Sequence, residues 1–152
     1  MARVVVGIDG SEASGQALRW AAEEAKLRGA ALHVVHTWTR PYSVPGPYPQ
    51  TGRGPRPEPD KEDTERRLAE ELLDRQLAAT GVETTGVRIE PELVEGPPAK
   101  RLLDAAQHAD LLVIGSDRRG KLVEIPLGRV GRECVQHSPC PVVIVHVTTQ
   151  RE

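Results

Sequence analysis

Glycines and basic residues alternate in residues 115–131, which directly follow the apolar run 111–114. The glycines and cations of this stretch are Gly115, Arg118, Arg119, Gly120, Lys121, Gly128, Arg129 and Gly131. Glycine lets a backbone approach a ligand closely, and the N–H groups at the start of a helix bind phosphate. The pattern therefore predicts an anion-binding loop, with a simple basic surface connection as the alternative.

A second candidate is Asp9, which follows the apolar run 4–8. A carboxylate at this position could accept hydrogen bonds from a ribose or hold a metal ion. It could equally cap the turn that follows, because Asp side chains bind backbone N–H groups two residues further on. The residues alone leave these roles open.

Signatures of other nucleotide and catalytic chemistry are missing from the sequence. Neither G-x-G-x-x-G after the first apolar run nor G-x-x-x-x-G-K-[ST] occurs. Glu92 and Glu95 lie at the end of a peripheral strand, where we expect them to be charged surface residues. A phosphoacceptor site is not expected either, because no carboxylate immediately follows Asp9. We therefore predict no catalytic residues.

Cys134, His137 and Cys140 form a C-x2-H-x2-C pattern that could suggest a metal site. Ligands on a helix end and its proline-flanked exit would point in divergent directions, however. We favour two small buried residues near a helix-to-strand turn and predict no metal site.

Runs rich in β-branched residues alternate with helical patterns along the whole chain, which predicts a single-domain α/β fold. The predicted strands are residues 4–8, 31–38, 87–94, 111–114 and 142–147. We expect an open five-stranded parallel sheet with helices on both faces and the strand order 3-2-1-4-5. Ligands bind where the winding reverses, beyond the carboxyl ends of the first and fourth strands, so Asp9 and Gly115 fall at the predicted site.

Four helices are predicted between these strands. The first begins after an N-cap residue, Ser11 or Ser14, and ends at Gly29. The others are expected over residues 60–81, 96–106 and 130–137. The apolar residues expected to face inward from the second and third helices are Leu68, Leu72, Leu77, Ala99, Leu102, Leu103 and Ala106.

Prolines and glycines interrupt the pattern in residues 39–59. Neither a helix nor a ladder tolerates so many missing N–H groups, so we expect an extended or mobile excursion that is dispensable for folding. Tyr42 and Tyr48 leave a proline-helix recognition segment as the less favoured alternative to a plain loop.

Composition excludes several classes of partner. With 152 residues and a net charge of −2, the chain can build one core but has no global attraction to nucleic acid or anionic membranes. The apolar run before Asp9 is too short for a signal-peptide core, and no segment reaches membrane-spanning length. We expect a soluble cytoplasmic protein.

Three stretches, "VVVGIDGSEAS", "LLVIGS" and "GRVGRECVQHSPCPVVIV", strongly resemble the universal stress protein family. The resemblance covers nearly the whole chain apart from residues 39–59. It implies an α/β fold of the adenine nucleotide alpha hydrolase-like type and a homodimer through the last strand. Some members of this family bind ATP and others do not.

The ATP-binding members carry G-x2-G-x9-G-[ST] after the fourth strand and an Asp after the first. Gly115, Gly128 and Asp9 match this pattern, whereas Arg118 and Arg129 replace its second Gly and its Ser or Thr. A guanidinium can still hold phosphate oxygens. The implied site for ATP, with or without Mg²⁺, comprises Asp9, Val35, Ile114, Gly115, Asp117, Arg118, Gly128, Arg129 and Val130.

Three functions remain open at this point. The first is a nucleotide-binding stress regulator, with adenine between the ends of strands 1, 2 and 4. The second is a dimeric stress protein that binds no nucleotide and acts through protein contacts. An enzyme is the least supported, and we expect at most weak ATP hydrolysis. In the first two cases residues 142–147, apolar on both faces at a sheet edge, predict a homodimer.

Overall fold

The computed structural model describes residues 2–40, 59–116 and 128–147. Most of the proline-rich stretch 39–59 lies outside these described residues, as do Asp117 and Arg118 of the anion-binding loop. What the sequence predicts for them stays a prediction.

The sheet has five parallel strands in the order β3-β2-β1-β4-β5, which confirms the predicted topology. The strands are β1 Arg3–Ile8, β2 Ala31–Trp38, β3 Ile89–Glu95, β4 Leu111–Ser116 and β5 Val142–His146. Val6 of β1 pairs with Val34 of β2 on one side and with Val113 of β4 on the other. The carboxyl ends of these three strands therefore meet at one edge of the sheet.

Four helices lie between the strands in the described part of the chain. They are α1 Glu12–Arg28, α2 Pro59–Thr80, α3 Pro98–Ala106 and α4 Arg129–His137, with a short 3-10 helix at Val82–Thr84. Of the two predicted caps of α1, Ser11 is the one used, since its Oγ accepts the Ser14 N–H at 3.1 Å. Helix α1 ends at Gly29, whose φ of 64° is a left-handed conformation that glycine adopts without strain.

The core has two halves, one on each face of the sheet. Helices α1 and α2 cover one face, where Leu18 and Leu73 pack against Val6 and Leu32. Helices α3 and α4 cover the other, where Leu102 and Cys134 join Val35, Leu112 and Ile114. Strands β1 and β4 are buried almost throughout because both of their faces are covered.

The predicted inward face of α2 was partly wrong. Leu77 is buried, but Leu68 is 50% exposed, and the buried residues before Leu77 are Ala69 and Leu73. These three positions repeat every four residues and form one row along the helix, which excludes Leu68. The helix packs through the row that meets the sheet, and its leucine content alone did not reveal which row that is.

Strand β3 is an edge strand that begins at Ile89, two residues later than predicted. Its side chains are only half-buried or exposed, in agreement with the predicted peripheral position. None of the helices that the structure describes is long and apolar enough to cross a membrane.

Candidate functional site

A cavity of about 560 Å³ opens at the carboxyl ends of β1, β2 and β4. The start of α4 closes one side of it, and Pro98 and Leu102 of α3 contribute to the wall. It lies where the direction of winding reverses between β1 and β4, which is where open α/β sheets bind ligands.

The predicted site residues that the structure describes all line this cavity. They are Asp9, Val35, Ile114, Gly115, Gly128, Arg129 and Val130. Asp117 and Arg118 lie outside the described residues. Residues separated by more than a hundred positions in the sequence are thus brought around one space.

Asp9 caps the turn between β1 and α1. Its Oδ1 accepts the N–H of Ser11 at 2.9 Å, and its own N–H donates to Oγ of Ser14 at 3.2 Å. The capping role considered from the sequence is therefore observed. It does not exhaust the carboxylate, because two oxygens offer about four lone-pair sites. Asp9 remains exposed at the cavity and able to accept further hydrogen bonds.

The surroundings of Asp9 favour its charged form. Burial raises its pKa, but hydrogen bonds from the hydroxyl and amide of Ser11 and from the Ser14 hydroxyl, together with nearby His36, outweigh this effect. The pKa of Asp9 lies below its ordinary value as a result. The cavity therefore presents an ionised carboxylate at neutral pH, which suits it to accept hydroxyl donors.

Gly115 allows a close backbone approach, but the approaching backbone belongs to the protein. A Cβ at this position would overlap the carbonyl oxygen of Ala13 and lie 2.9 Å from the backbone nitrogen of Ser14. The first turn of α1 thus rests directly on the end of β4. Packing explains this glycine, whereas the sequence pattern had pointed to a ligand.

Gly128 differs from Gly115 because the space beside it is open. It is the N-cap of α4 with a φ of −57°, and no atom of the described residues lies within 4 Å of the position a Cβ would take. The first helical bond runs from the Arg132 N–H to the Gly128 carbonyl oxygen. The N–H groups of residues 129–131 have no partner within the helix, and no side chain in the described part of the chain caps them.

Arg129 stands beside these donors with 93% of its side chain exposed. Its Nε lies 3.7 Å from Oε1 of Glu133, a long surface pair that contributes little to stability. The guanidinium can therefore turn toward an anion at small cost. Backbone donors, a helix dipole and a cation meet at this end of the cavity.

The model of the universal stress protein family matches residues 1–146. This chain belongs to the universal stress protein family. Among curated members, universal stress protein Rv1996 of Mycobacterium tuberculosis is 36% identical over 148 residues, which cover 96% of this chain and 44% of Rv1996. The chain spans about half the length of the curated relatives it matches.

Solved structures of the family share this fold. A universal stress protein from Archaeoglobus fulgidus in complex with dAMP has a TM-score of 0.64 and 27% identity, covering 95% of this chain and 98% of that one. A universal stress protein in complex with cAMP has a TM-score of 0.65 and 25% identity, covering 97% and 98%. Relatives of this chain therefore bind adenine nucleotides.

Among the polar residues that the sequence did not point to are one on the cavity wall, His36, and one behind the Asp9 turn, Gln76. His36 is buried on β2, lines the cavity and places Nδ1 2.8 Å from the carbonyl oxygen of Ile8. Because a carbonyl only accepts, Nδ1 carries the proton. Gln76 of α2 makes three hydrogen bonds to the turn that holds Asp9. His36 is concealed in an apolar run, and Gln76 lies in a highly charged helix, so neither gave a signal.

The cysteine-histidine pattern does not form a cluster of ligands. Cys134 is fully buried, and burial together with nearby Glu133 raises the pKa of its thiol to about 11. Cys140 is half-buried beside Ser138, and His137 is exposed. No group of three or more His, Cys, Asp or Glu side chains among the described residues could hold a metal ion.

Proposed function

We propose that this member of the universal stress protein family is a cytoplasmic stress-response regulator that binds an adenine nucleotide, and ATP in particular. The observation that carries the proposal is that one and the same cavity is lined by an ionised carboxylate, Asp9, and by the N-terminus of α4, which no described side chain caps. A nucleotide needs both features, since its ribose donates hydrogen bonds and its phosphates accept them. The dAMP and cAMP complexes of related proteins support the choice of adenine.

The cavity suggests how such a ligand would lie. Val35 and Ile114 provide apolar wall at the strand ends, which suits the adenine ring. Asp9 would receive the ribose hydroxyls. The N–H groups after Gly128 and the guanidinium of Arg129 would hold the phosphates.

Mg²⁺ would enter with the triphosphate. Among the described residues that line the cavity, Asp9 is the single carboxylate. Carboxylate oxygen suits this ion, but one such ligand is too few to retain it without substrate phosphates. We expect Mg²⁺ to strengthen ATP binding and to bind weakly by itself.

We also propose that the protein binds its nucleotide without turning it over rapidly. His36 is the histidine on the described cavity wall, and it donates from Nδ1 to the Ile8 carbonyl. Asp9 is the one carboxylate among the described lining residues, so this wall offers no carboxylate pair for general acid–base catalysis. The cavity is thus better suited to holding a ligand than to activating a nucleophile.

Titration calorimetry with ATP, ADP and AMP, with and without Mg²⁺, tests the proposal directly. Saturable binding should appear, and a ligand present at a hundred times its Kd should add about 2.7 kcal/mol to the free energy of unfolding. Absence of both binding and thermal stabilisation would favour the alternative, a stress protein that acts through protein contacts.

The variant Arg129→Ala should weaken ATP binding by about 1.5–3 kcal/mol, the range of a hydrogen bond to a charged group. Its guanidinium is exposed and contributes little to the fold, so the unfolding temperature should change little. Arg132→Ala is the matched control, because Arg132 lies on the same helix and outside the described cavity lining. If both variants lost the same amount of ATP affinity, the loss would be due to the change in net charge, which would contradict a direct contact between Arg129 and the phosphates.

We further propose a homodimer through β5, as the family resemblance implies. The two edges of the sheet differ, since β3 carries Pro91 and several glutamates whereas Val142–His146 contains neither. Proline and charge protect an edge from pairing with another chain. Each β5 side chain is only half-buried in the single chain, so a partner strand would cover apolar surface.

A proline substitution can test this pairing without breaking β4–β5. The carbonyl of Pro141 accepts a hydrogen bond from β4, and the N–H of Val147 donates one to β4. The backbone N–H and C=O groups of odd-numbered residues in β5 therefore point toward β4, and those of Ile144 point away from it, toward the open edge. Ile144→Pro should therefore remove an outward donor and produce monomers in light scattering at micromolar concentration. Ile144→Ala, which keeps the N–H, should remain dimeric. A wild-type monomer would refute the proposal.

A further inference from the structure

Gln76 of α2 connects a helix outside the cavity to the turn that carries Asp9. Its Oε1 accepts the N–H of Gly10 at 3.0 Å and the hydroxyl of Ser14 at 2.8 Å. Its Nε2 donates to the carbonyl oxygen of Ser11 at 3.0 Å. One side chain on α2 thus uses its amide oxygen and its amide nitrogen to hold three residues of the turn.

The hydrogen-bond partners of Gln76 include those that position Asp9. Ser14 Oγ accepts the Asp9 N–H, and the Ser11 N–H donates to Asp9 Oδ1. Gly10, whose N–H also donates to Gln76, lies between Asp9 and Ser11 in the sequence. A movement of Gln76 would therefore displace the partner of the Asp9 backbone N–H, Ser14, and the partner of its carboxylate, Ser11, at once.

The same helix also packs against the turn. Gly10 has a φ of +85°, a conformation that favours glycine, and a Cβ there would lie 2.9 Å from Cδ1 of Leu72. Leu72 and Gln76 are four residues apart and so lie on one side of α2. Helix α2 therefore covers the turn with an apolar contact and ties it with polar ones.

We infer that Gln76 is a positioning residue that holds Asp9 in the orientation in which it receives the ribose of the nucleotide. This inference rests on the proposed function for its ligand. The positioning itself is a property of the ligand-free protein. It makes α2 part of the nucleotide site, although the described lining of the cavity contains no residue of this helix.

Substitution of Gln76 by methionine keeps the length and approximate volume of the side chain and removes its hydrogen bonds. ATP affinity measured by calorimetry should fall about tenfold in Gln76→Met and in Asp9→Ala. If Gln76 acts through Asp9, the double variant should also lose about tenfold. A hundredfold loss in the double variant would show independent effects and overturn the inference. Arg75→Met, at the exposed neighbour in α2, should bind ATP as the wild type does.

An NMR titration of the Asp9 carboxyl tests the positioning without any ligand. Hydrogen bonds from Ser11 lower the pKa of Asp9, and Gln76 holds the carbonyl of Ser11, so loosening the turn in Gln76→Met should raise this pKa. His36 of β2 also lowers this pKa and is unchanged in the variant, and Arg75→Met again serves as control. An unchanged Asp9 titration in Gln76→Met would overturn the inference. Failure of wild-type protein to bind ATP would instead refute the proposed ligand and leave this titration to decide the positioning.

Discussion

Gly128→Val is expected to abolish ATP binding while the protein remains folded. Gly128 occupies the N-cap position of α4 and lines the cavity, and no described atom lies within 4 Å of a Cβ placed there. Phosphates bound by the N–H groups of residues 129–131 would need this open space, which the branched valine side chain would occupy. A φ of −57° is allowed for valine, so the cost to the fold is the loss of a glycine cap, about 1 kcal/mol or less.

Calorimetry and thermal unfolding separate these two effects. Gly128→Ala adds a single methyl group and should weaken ATP binding less than valine does, which gives a graded series at one position. Both variants should unfold within about 4 °C of the wild type. If Gly128→Val binds ATP with wild-type affinity, the phosphates do not lie at the start of α4.

Strand order and the general location of the candidate site were predictable from the sequence for a physical reason. Strands covered on both faces are apolar without interruption, and the runs 4–8 and 111–114 show this directly. Right-handed crossovers then leave few arrangements of five parallel strands. Once that order is fixed, the ends of β1 and β4 must meet.

The orientation of α2 was harder to predict because several of its rows contain a leucine. Leu68 and Leu77 both fit an apolar face, yet Leu68 is exposed and Ala69 is buried in its place. Burial on a helix depends on which row meets the sheet. That choice is made by the packing of the whole layer rather than by the helix itself.

The role of Asp9 shows what local sequence can and cannot decide. Capping of the turn and acceptance of a ribose were competing interpretations of one residue. The structure shows that Oδ1 makes the cap while the carboxylate remains exposed at the cavity. Local sequence offers the cap as one of two open roles, since its partner Ser11 is two residues away. The link from Gln76 spans 66 positions to Gly10, and no local pattern predicts it.

Gly115→Ala is expected to destabilise the protein by about 3 kcal/mol, the upper part of the range for overpacking. The added methyl would overlap the Ala13 carbonyl oxygen and approach the Ser14 nitrogen to 2.9 Å. A side chain could rotate away, but these are backbone atoms in the first turn of α1, so the helix itself must shift. The unfolding temperature should fall by roughly 6–12 °C for a domain of this size.

The matched control for Gly115→Ala is Gly128→Ala, since it makes the same chemical change at the other end of the loop, where the described structure leaves space. Calorimetric unfolding should show a large loss for the first variant and a small one for the second. A shift of α1 would also move Ser14 away from the Asp9 N–H, so Gly115→Ala should lose ATP affinity as well as stability. Equal unfolding temperatures for the two variants would mean that α1 can yield at little cost. The glycine at the end of β4 would then be explained better by a ligand than by the packing of the helix.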